Sequence, residues 1–299
     1  MTLLEHERLA IDGFRGDAPL PTAADEDAWI AFGLRCQLEV ARMLRSFDTG
    51  PQSKRWTKQD GSPATELEQQ VEAHLRRRLA RFAPEAVFVG EESGGVLPES
   101  GVSVAVDPVD GTWAFLTGIA LWTSTFAVFR DGRPWLGFVS NPSSGEVAYN
   151  RVGQGSRVLR VDVFGEGDRG WALPEAAPRR ADQKPLVLVH PSVGSIDLRQ
   201  SLDAAWRDGH LGVVRGAGGS PAWGLLEAAR GNYVYVNGWH GRAAEPFDLA
   251  AAVLVLRGAG GEAVDRDGDP IDPRSHAGLL IAGVDEAARQ AVLGWARGS

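Results

Sequence analysis

The stretch Val102–Thr117 constrains the fold of this chain more strongly than any other part of the sequence. Its first residues, Val102–Val106, are apolar and rich in β-branched side chains, which is typical of a buried strand and too short for a helix. Residues 107–112 (DPVDGT) follow, and their proline and glycine predict a tight turn. Trp113–Leu116 can then open a helix. The sequence therefore predicts a strand, a turn and a helix in immediate succession.

Two carboxylates, Asp107 and Asp110, leave the predicted strand end three residues apart, and Gly111 and Thr112 would begin the helix. Carboxylate oxygens suit a divalent cation, and the backbone N–H groups at a helix N-terminus suit an anion such as phosphate. This combination is the layout of a metal-assisted phosphate site. The Asp-Pro-x-Asp-Gly pattern is also ordinary turn chemistry, so the stretch alone leaves both interpretations open.

The overall charge and the cysteine content exclude some classes of partner and site. With 39 acidic and 31 basic residues, the formal net charge is −8, which argues against a nucleic acid polymer or an anionic membrane as a general partner. Cys36 is the only cysteine, so an intrachain disulfide and a cysteine-based zinc site are excluded. The N-terminal residues resemble neither a signal peptide nor a membrane span, which predicts a cytoplasmic protein.

The pattern of apolar residues predicts an N-terminal half in which two helices precede a largely antiparallel set of strands. Residues 1–24 form an N-terminal extension in this prediction, and residues 25–165 form an α+β half that carries the metal site. The helices are expected over 25–47 and 63–82, and the strands over 87–89, 102–106, 124–129, 135–139 and 146–149.

Residues 164–184 are rich in glycine, proline, arginine and glutamate and are predicted to form a linker. Strands and helices alternate in the C-terminal α/β half, 185–299, which indicates helices packed on a sheet. The strands are expected over 186–189, 211–214, 233–236, 262–264 and 279–281, and the helices over 196–206, 221–229, 247–256 and 285–295.

Two further carboxylates stand at the ends of predicted elements. Glu91 follows the strand Val87–Val89 within 90–95 (GEESGG), and Asp248 precedes the apolar helix Leu249–Leu256. Asp248 alone would also be explained as a helix N-cap, and Glu91 as part of an exposed acidic loop. An all-carboxylate ligand set favours Mg²⁺ or Mn²⁺ over zinc.

Residues 90–93 (GEES), 107–112 (DPVDGT) and 246–251 (PFDLAA) resemble the three signature blocks of the inositol monophosphatase family, in the family's order. The similarity spans roughly residues 25–295. It implies an α/β (α+β) fold of the layered αβαβα sandwich type. It also implies a Mg²⁺-dependent phosphomonoesterase that acts on a small phosphorylated metabolite. Because family members are commonly dimers, the resemblance further implies a homodimer.

The resemblance also implies which residues hold the metal. By motif position, Glu91, Asp107 and the carbonyl of Val109 would hold one ion, and Asp107, Asp110 and Asp248 would hold a second. Two or three Mg²⁺ ions are expected in total, and Mn²⁺ could replace them. Paired ions can lower the pKa of a bridging water and stabilise both the entering and the leaving oxygen.

The same motif positions imply the phosphate-binding and catalytic residues. Asp110 and the backbone N–H groups of Gly111 and Thr112 would bind the phosphate group. Glu91 and the Thr112 hydroxyl would act in catalysis, the hydroxyl by helping to orient the attacking water. In-line attack on phosphorus needs little more from a protein than positioning and charge.

Glu68 departs from the family pattern. Many members place an aspartate at this position, paired with the threonine of the second block to help activate water, and glutamate adds a methylene group. Glu68 also follows Thr65 by three residues, which is the spacing of a helix capping box. Two roles therefore stay open for Glu68: a catalytic or outer carboxylate beside Thr112, and a helix cap.

Other departures concern the substrate. Ala114 stands where many members have asparagine, Phe247 replaces the usual tryptophan of the third block, and Gly241 occupies the position of a carboxylate in inositol-selective members. The missing carboxylate argues against myo-inositol phosphate as the best substrate. Residues 115–122 (FLTGIALW) are similar to the same run of the histidinol-phosphate phosphatase branch, whose activity is therefore an alternative.

Four residues are predicted to contact the leaving group: Gly219, Ser220, His240 and Arg242. The first two belong to a glycine-rich loop before a helix, whereas His240 and Arg242 could equally be exposed loop residues. The substrate is expected to be a sugar, cyclitol, amino alcohol or nucleotide phosphate. An alternative of another class is a catalytically weak family member that binds a phosphorylated ligand or a partner protein.

Overall fold

The computed structural model describes residues 2–16, 23, 25–46, 55–57, 63–161, 167–175, 180, 182–191 and 196–297. Two large β-sheets and three layers of helices alternate through these residues in the order α/β/α/β/α. The predicted αβαβα sandwich is therefore confirmed.

Eight helices lie within the described residues, and none of them is long and apolar enough to cross a membrane. They are α1 (Glu5–Arg15), α2 (Glu26–Arg45), α3 (Glu66–Phe82), α4 (Thr112–Thr117), α5 (Ile196–Arg207), α6 (Pro221–Ala229), α7 (Pro246–Gly258) and α8 (Glu286–Arg297). Helices α2, α3 and α5 to α8 lie where the apolar periodicity predicted them, with ends that differ by a few residues.

The strands of the same residues are β1 (Arg55–Thr57), β2 (Pro63–Thr65), β3 (Val87–Gly90), β4 (Val102–Asp110), β5 (Thr123–Arg130), β6 (Arg133–Asn141), β7 (Glu146–Arg151), β8 (Gly155–Arg160), β9 (Arg169–Ala172), β10 (Leu186–Val189), β11 (Val213–Gly216), β12 (Val234–Ala244), β13 (Glu262–Val264) and β14 (His276–Gly283). Strands β1 and β2 pair as a separate two-stranded ribbon. The segment predicted to begin the second helix, Pro63–Thr65, thus forms β2, and the helix begins at Glu66.

Helices α1 to α3 cover one face of a seven-stranded sheet with the order β3-β4-β5-β6-β7-β8-β9. Only β3 and β4 run parallel, and the other neighbours are antiparallel. Asp25 begins α2 as its N-cap by accepting a hydrogen bond from the Ala28 N–H at 2.9 Å. Phe32 of α2 stacks on Phe82 of α3 with 4.1 Å between ring centroids. Aromatic packing therefore joins these helices over the sheet.

Helices α6 and α7 form the middle layer between the two sheets. Residues Phe247–Val253 of α7 are all buried, as expected for a helix with a sheet on each side. Gly137 of β6 permits a close approach, because a Cβ there would overlap the Ala251 backbone. The Thr125 hydroxyl of β5 donates to the Phe247 carbonyl at 2.9 Å. These contacts fix the first turn of α7, and with it Asp248, against the first sheet.

The second sheet has the order β11-β10-β12-β14-β13. Strand β10 runs parallel to β11 and β12, whereas β14 is antiparallel to both of its neighbours. Helices α5 and α8 cover its outer face, and apolar side chains such as Val187, Leu202 and Val292 fill the space between them. The alternating pattern after residue 185 correctly predicted helices on a sheet.

Strand β9 lies within the stretch 164–184 that was predicted as a linker. It pairs with β8, a strand that the sequence did not predict either. Both strands are short and rich in arginine and glycine, so no alternation of apolar residues marked them, and they form because the sheet edge offers them partners. The division of the chain into two halves joined by a linker stays a prediction.

Helix α1 lies within the predicted N-terminal extension, 1–24, and is firmly held to the first sheet. The fully buried Glu7 accepts hydrogen bonds from the Tyr149 hydroxyl at 2.8 Å and from Arg157 Nε at 3.0 Å. His6 Nε2 lies 2.9 Å from the same hydroxyl. Because Tyr149 and Arg157 belong to β7 and β8, α1 is part of the outer helical layer.

Candidate active site

Both large sheets and the middle helices enclose a cavity of about 650 Å³. Four of the predicted carboxylates line it: Glu91, Asp107, Asp110 and Asp248. The three aspartates are only 3% to 6% exposed, which is rare for ionisable side chains. The structure therefore brings together acids that the sequence placed at separate element ends.

A β-bulge presents Asp107 and Asp110. Strand β4 continues through both residues instead of ending before them as predicted, and it pairs Asp107 with Thr125 and Asp110 with Thr123 of β5. Three steps along β4 match two along β5, so one extra residue bulges. Within the bulge, the Val109 N–H donates to Asp107 Oδ1 at 2.8 Å. Because residues three apart in a regular strand point to opposite faces, the bulge allows both aspartates to line one cavity.

Three donors hold Asp110 by a single oxygen. Its Oδ2 accepts hydrogen bonds from the Ser220 hydroxyl at 2.5 Å, the Ala222 N–H at 2.7 Å and the Thr123 hydroxyl at 3.2 Å. Burial raises the pKa of Asp110 to about 7, although the donors, Ser220 first among them, act in the opposite direction. None of the three bonds uses Oδ1.

Asp248 is the third residue of α7 and not its N-cap. Glu245 is the N-cap, and its backbone N–H donates to Asp248 Oδ2 at 2.6 Å. The interpretation of Asp248 as a helix N-cap is therefore wrong. Its place in the first turn still puts the carboxylate at the positive end of the helix dipole.

Glu72 of α3 supports the loop that carries Glu91, and the sequence did not single it out. The Glu72 carboxylate accepts hydrogen bonds from the backbone N–H groups of Glu92 at 2.7 Å and Ser93 at 3.1 Å. It is 3% exposed, and a Cβ at Gly90 would overlap it, which accounts for the glycine. One feature of the sequence could have pointed to Glu72: it is an acidic residue on the apolar face of α3, four residues after the capping glutamate Glu68.

We expect Glu72→Gln to weaken Mg²⁺ binding by about 10–100-fold, the usual cost of losing a residue that orients a metal ligand. The amide offers one oxygen to two N–H groups, so the loop that carries Glu91 loses its fixed position. Titration calorimetry with Mg²⁺ measures the effect. Glu85→Gln changes an exposed acid just after α3 and is the matched control. Equal Mg²⁺ affinity in the two variants would contradict the supporting role.

The neighbouring acids raise the pKa of Asp107. Burial and the nearby Glu91, Asp110 and Asp248 hold the pKa of Asp107 well above its usual range, and Asp107 shares a hydrogen bond with Glu91. Two carboxyl groups can share a hydrogen bond only when one of them carries a proton. A divalent cation would take the place of that proton and neutralise the repulsion.

The donor set therefore fits a hard divalent cation by its chemistry, since every side-chain donor is a carboxylate oxygen. As they stand, no three acidic, histidine or cysteine side chains in the described part of the chain enclose a common ion position.

The raised pKa values predict how the stability of the metal-free protein depends on pH. When folding raises a pKa from 3.8 to about 7, as for Asp110, the folded state binds more protons than the unfolded state across that interval. Stability therefore falls as the pH rises from about 4 to 7. We expect the Tm of the EDTA-treated protein to fall over this pH interval and to recover at pH 7 when Mg²⁺ is added. The Tm of the Asp110→Asn variant should depend less on pH. A Tm that rises steadily towards pH 7 would contradict this.

Glu68 makes the contacts that both open interpretations require, and its catalytic role stays a prediction. Its Oε2 accepts a hydrogen bond from the Thr65 N–H at 2.5 Å, and its own N–H donates to the Thr65 hydroxyl at 3.4 Å, so the capping box is present. Its Oε1 accepts a hydrogen bond from the Thr112 hydroxyl at 3.0 Å. The side chain is fully buried, and burial raises the pKa of Glu68 to about 7. Glu68 therefore links the start of α3 to the start of α4.

Gly111 and Thr112 line the cavity beside the carboxylates. Gly111 is the N-cap of α4 with a φ of +94°, where glycine is favoured, and a Cβ there would lie 2.9 Å from the Ser220 Cβ. The Thr112 hydroxyl also lies 3.1 Å from the carbonyl of Val109, which lines the cavity too. These positions are compatible with the predicted phosphate contact, which stays a prediction.

The residues predicted to contact the leaving group have different surroundings. Gly219 lines the cavity. Ser220 is not among the lining residues: its side chain is fully buried, caps α6 and donates to Asp110, and its predicted contact with the leaving group stays a prediction. The side chains of His240 and Arg242, in β12, lie outside the described residues.

Several cavity-lining residues were not selected as site residues from the sequence. His190 follows the carboxyl end of β10 and Asn237 lies in the parallel partner β12, at the edge where α/β sheets usually bind ligands. Trp113 of α4 and Trp239 of β12 add aromatic surface. The sequence signal for three of them was their position just after the predicted strands 186–189 and 233–236, and Trp113 directly follows the second acidic block.

Comparison with known proteins agrees with this geometry. The sequence profile of the inositol monophosphatase family matches residues 23–293. A histidinol-phosphatase from Mycobacterium tuberculosis is 31% identical over 235 residues, which cover 71% of this chain and 77% of that protein. The sequence relationship therefore extends well beyond the three acidic blocks.

Solved structures share the fold. The extragenic suppressor protein suhB from Bartonella henselae has a TM-score of 0.73 at 21% identity, over 90% of this chain and 98% of that protein. An IMPase/NADP phosphatase complexed with Mg²⁺ and phosphate has a TM-score of 0.70 at 20% identity, over 90% of this chain and 94% of that protein. The family match and the related sequence identify a phosphoric monoester hydrolase. The chain belongs to the inositol monophosphatase family.

Proposed function

We propose that the chain is a Mg²⁺-dependent phosphomonoesterase of small phosphorylated metabolites. The observation that carries the proposal is the convergence of four carboxylates in one cavity, where burial raises the pKa of Asp107 and Asp110. Buried acids of this kind are costly unless a cation neutralises them. A cavity that holds such cations attracts an anionic ester. A protein of the same fold was solved with Mg²⁺ and phosphate, which supports the proposal.

The ions would be held as the motif positions imply. Glu91, Asp107 and the Val109 carbonyl would hold one, and Asp107, Asp110 and Asp248 another; a third Mg²⁺, or Mn²⁺ instead, suits the same oxygen donors. When bound, the ions lower the pKa of a water and neutralise charge on the phosphate group. The chain itself contributes fixed positions for these carboxylates, through the bulge in β4 and the hydrogen bonds to Asp110 and Asp248.

Two residues at the start of α4 would position the reacting groups. Backbone N–H groups of Gly111 and Thr112 would bind phosphate oxygens, next to the cation held by Asp110. When the Thr112 hydroxyl donates to the Glu68 carboxylate, its lone pairs can accept a hydrogen bond from the attacking water. That bond turns a water lone pair towards phosphorus for in-line attack.

Histidinol phosphate is the narrower second candidate for the substrate. The observation in its favour is the 31% identity to a histidinol-phosphatase over most of both chains. Gly241 also lacks the carboxylate that inositol-selective members carry at this position, which argues against inositol phosphates. The broader proposal covers sugar, cyclitol, amino alcohol and nucleotide phosphates.

A phosphate-release screen of the purified chain tests the proposal. We expect release from at least one ester among histidinol, inositol, sugar and nucleotide phosphates, with activity lost in EDTA and restored by Mg²⁺. Release that persists in EDTA would overturn the metal requirement. Tight binding of a phosphorylated ligand without any release would instead identify a catalytically weak binding protein.

We also propose that the protein is a homodimer that acts in the cytoplasm. The dimer rests on the family resemblance. Sedimentation equilibrium of the full chain tests the assembly, and a monomer mass at micromolar concentration would overturn it. Fractionation of the native cell tests the location.

A further inference from the structure

A second cavity, of about 230 Å³, lies on the outer face of the first sheet. The C-terminal parts of α1 and α2, the start of β7 and Val161 line it, and we call it the outer cavity. Val147 of β7 packs in the same apolar cluster as α1 and α2, whereas its neighbour Ala148 packs with the middle layer. Successive side chains of a strand point to opposite faces of the sheet. The first sheet therefore separates the outer cavity from the four carboxylates.

The base of the outer cavity is apolar. Leu38 and Ala41 of α2 line it together with Val147 and Val161, and each of the four is at most 6% exposed. Phe14 of α1 adds an aromatic ring. Its volume of about 230 Å³ is smaller than that of pockets for drug-sized ligands, which is about 300–1,000 Å³. The outer cavity therefore suits a small molecule with an apolar side.

Two arginines in the last turn of α2, Arg42 and Arg45, line the same cavity. The Arg42 guanidinium lies 4.7 Å from the centre of the Phe14 ring. Stacking on a ring orients a guanidinium but leaves the N–H donors at its edge able to bind an oxygen. Arg45 Nε donates to the Ala41 carbonyl at 3.4 Å, which is a long bond and uses one of five donors. Both guanidinium groups can therefore donate to a ligand.

The other charged residues that the structure places around the outer cavity have partners of opposite sign. Arg15 Nη1 lies 2.7 Å from Asp168 Oδ2. Glu146 Oε2 accepts a hydrogen bond from Arg230 Nη2 at 2.6 Å. Within the described residues, the charge of the lining that no carboxylate balances is therefore the positive charge of α2.

Helix geometry alone accounts for part of this arrangement. Arginines in the last turn of a helix are favoured by the helix dipole, so either of them could stabilise α2 without binding a ligand. That role does not require an apolar hollow beneath them. The chain also has a net charge of −8, so an anion needs a local cluster of cations to overcome the general repulsion.

We propose that the outer cavity binds a small carboxylate with a compact apolar body, such as an aromatic or branched-chain acid. Its carboxylate would accept hydrogen bonds from Arg42 and Arg45, because the planar guanidinium fork matches a carboxylate. Its body would cover Leu38, Val147 and Val161. The site lies outside the proposed phosphomonoesterase site and does not depend on that function.

Titration calorimetry and saturation-transfer NMR of the full chain with benzoate test the proposal. Mg²⁺ and inorganic phosphate are kept in excess to occupy the acidic cavity. We expect a Kd for benzoate of about 1 mM or lower, which is within the range for a ligand of this size. Benzamide, which lacks the charge, and acetate, which lacks the ring, should each bind about tenfold more weakly or worse.

Substitutions on α2 locate the probe. Arg42→Gln and Arg45→Gln should each weaken benzoate binding by about tenfold, because each removes a charge-assisted hydrogen bond. Arg207→Gln changes an exposed arginine in the last turn of α5, outside the outer cavity, and is the matched control. It should leave the affinity for benzoate unchanged.

Four results would overturn the proposal. They are no saturation transfer to benzoate well above the expected Kd, equal affinity for benzoate and benzamide, loss of benzoate binding when phosphate is added, and unchanged benzoate affinity in Arg42→Gln and Arg45→Gln. A lower Tm together with that unchanged affinity would show that the arginines only stabilise α2. Because phosphate release is not a readout here, the proposed function stands or falls separately.

Discussion

Asp107→Asn is expected to reduce Mg²⁺-dependent phosphate release by about a thousandfold or more while the chain still folds. Asp107 is the carboxylate expected to bridge both ions, and such ions supply several kcal/mol of transition-state stabilisation. Because each loss of about 1.4 kcal/mol of stabilisation lowers the rate tenfold, losing the bound ions should lower the rate by about a thousandfold or more. Asparagine keeps an oxygen that can accept the Val109 N–H, now bonded to Asp107 Oδ1 at 2.8 Å, so the bulge in β4 should persist.

The thermal midpoint of Asp107→Asn separates loss of chemistry from loss of structure. Without metal at pH 7, the variant should be at least as stable as the wild type, because it removes a buried carboxyl whose pKa is raised by burial, Glu91 and Asp110. With Mg²⁺, the wild type alone should gain several degrees, as ligand binding to the folded state requires. Asp203→Asn, a half-exposed aspartate on α5, is the control. Full activity in Asp107→Asn would refute the metal-site assignment.

The local features of the site could be predicted from the sequence. The strand before Asp107 and the start of α4 after Gly111 are encoded within one short segment, so spacing alone selected them. The β-bulge was not visible, because it depends on pairing with β5, which is distant in sequence. Proline and glycine at 107–112 predict a turn equally well, and only the partner strand decides that β4 continues to Asp110.

Residues that act through long-range contacts could not be predicted. Ser220 was expected to touch the substrate because it follows a glycine-rich loop, yet its hydroxyl is turned inward to Asp110, 110 positions earlier in the chain. Glu72 holds the Glu91 loop from another element. Neither role leaves a periodic pattern in the sequence. Such partners are set by how the layers stack, and a motif carries no information on that stacking.

The second large effect is expected for Glu68, where cap and catalysis can be separated by one substitution. Glutamine is as good as glutamate at the third position of a capping box, so Glu68→Gln can still accept the Thr65 N–H, now 2.5 Å from Oε2. It loses the negative charge that accepts the Thr112 hydroxyl at 3.0 Å. If Glu68 only caps α3, the variant should have normal activity and normal stability.

We instead expect Glu68→Gln to lower kcat by about 100-fold or more, the range for a positioned acid–base group, with little change in Tm. Thr112→Val should cause a similar loss of kcat, and Thr112→Ser, which keeps the hydroxyl, should retain most activity. The double variant Glu68→Gln with Thr112→Val should be no worse than either single variant, because both substitutions break the same hydrogen-bonded unit. Glu85→Gln again serves as the silent acid-to-amide control. Additive losses in the double variant would show that Glu68 and Thr112 act separately and would contradict the single hydrogen-bonded unit, whereas normal activity in Glu68→Gln would leave Glu68 as a helix cap alone.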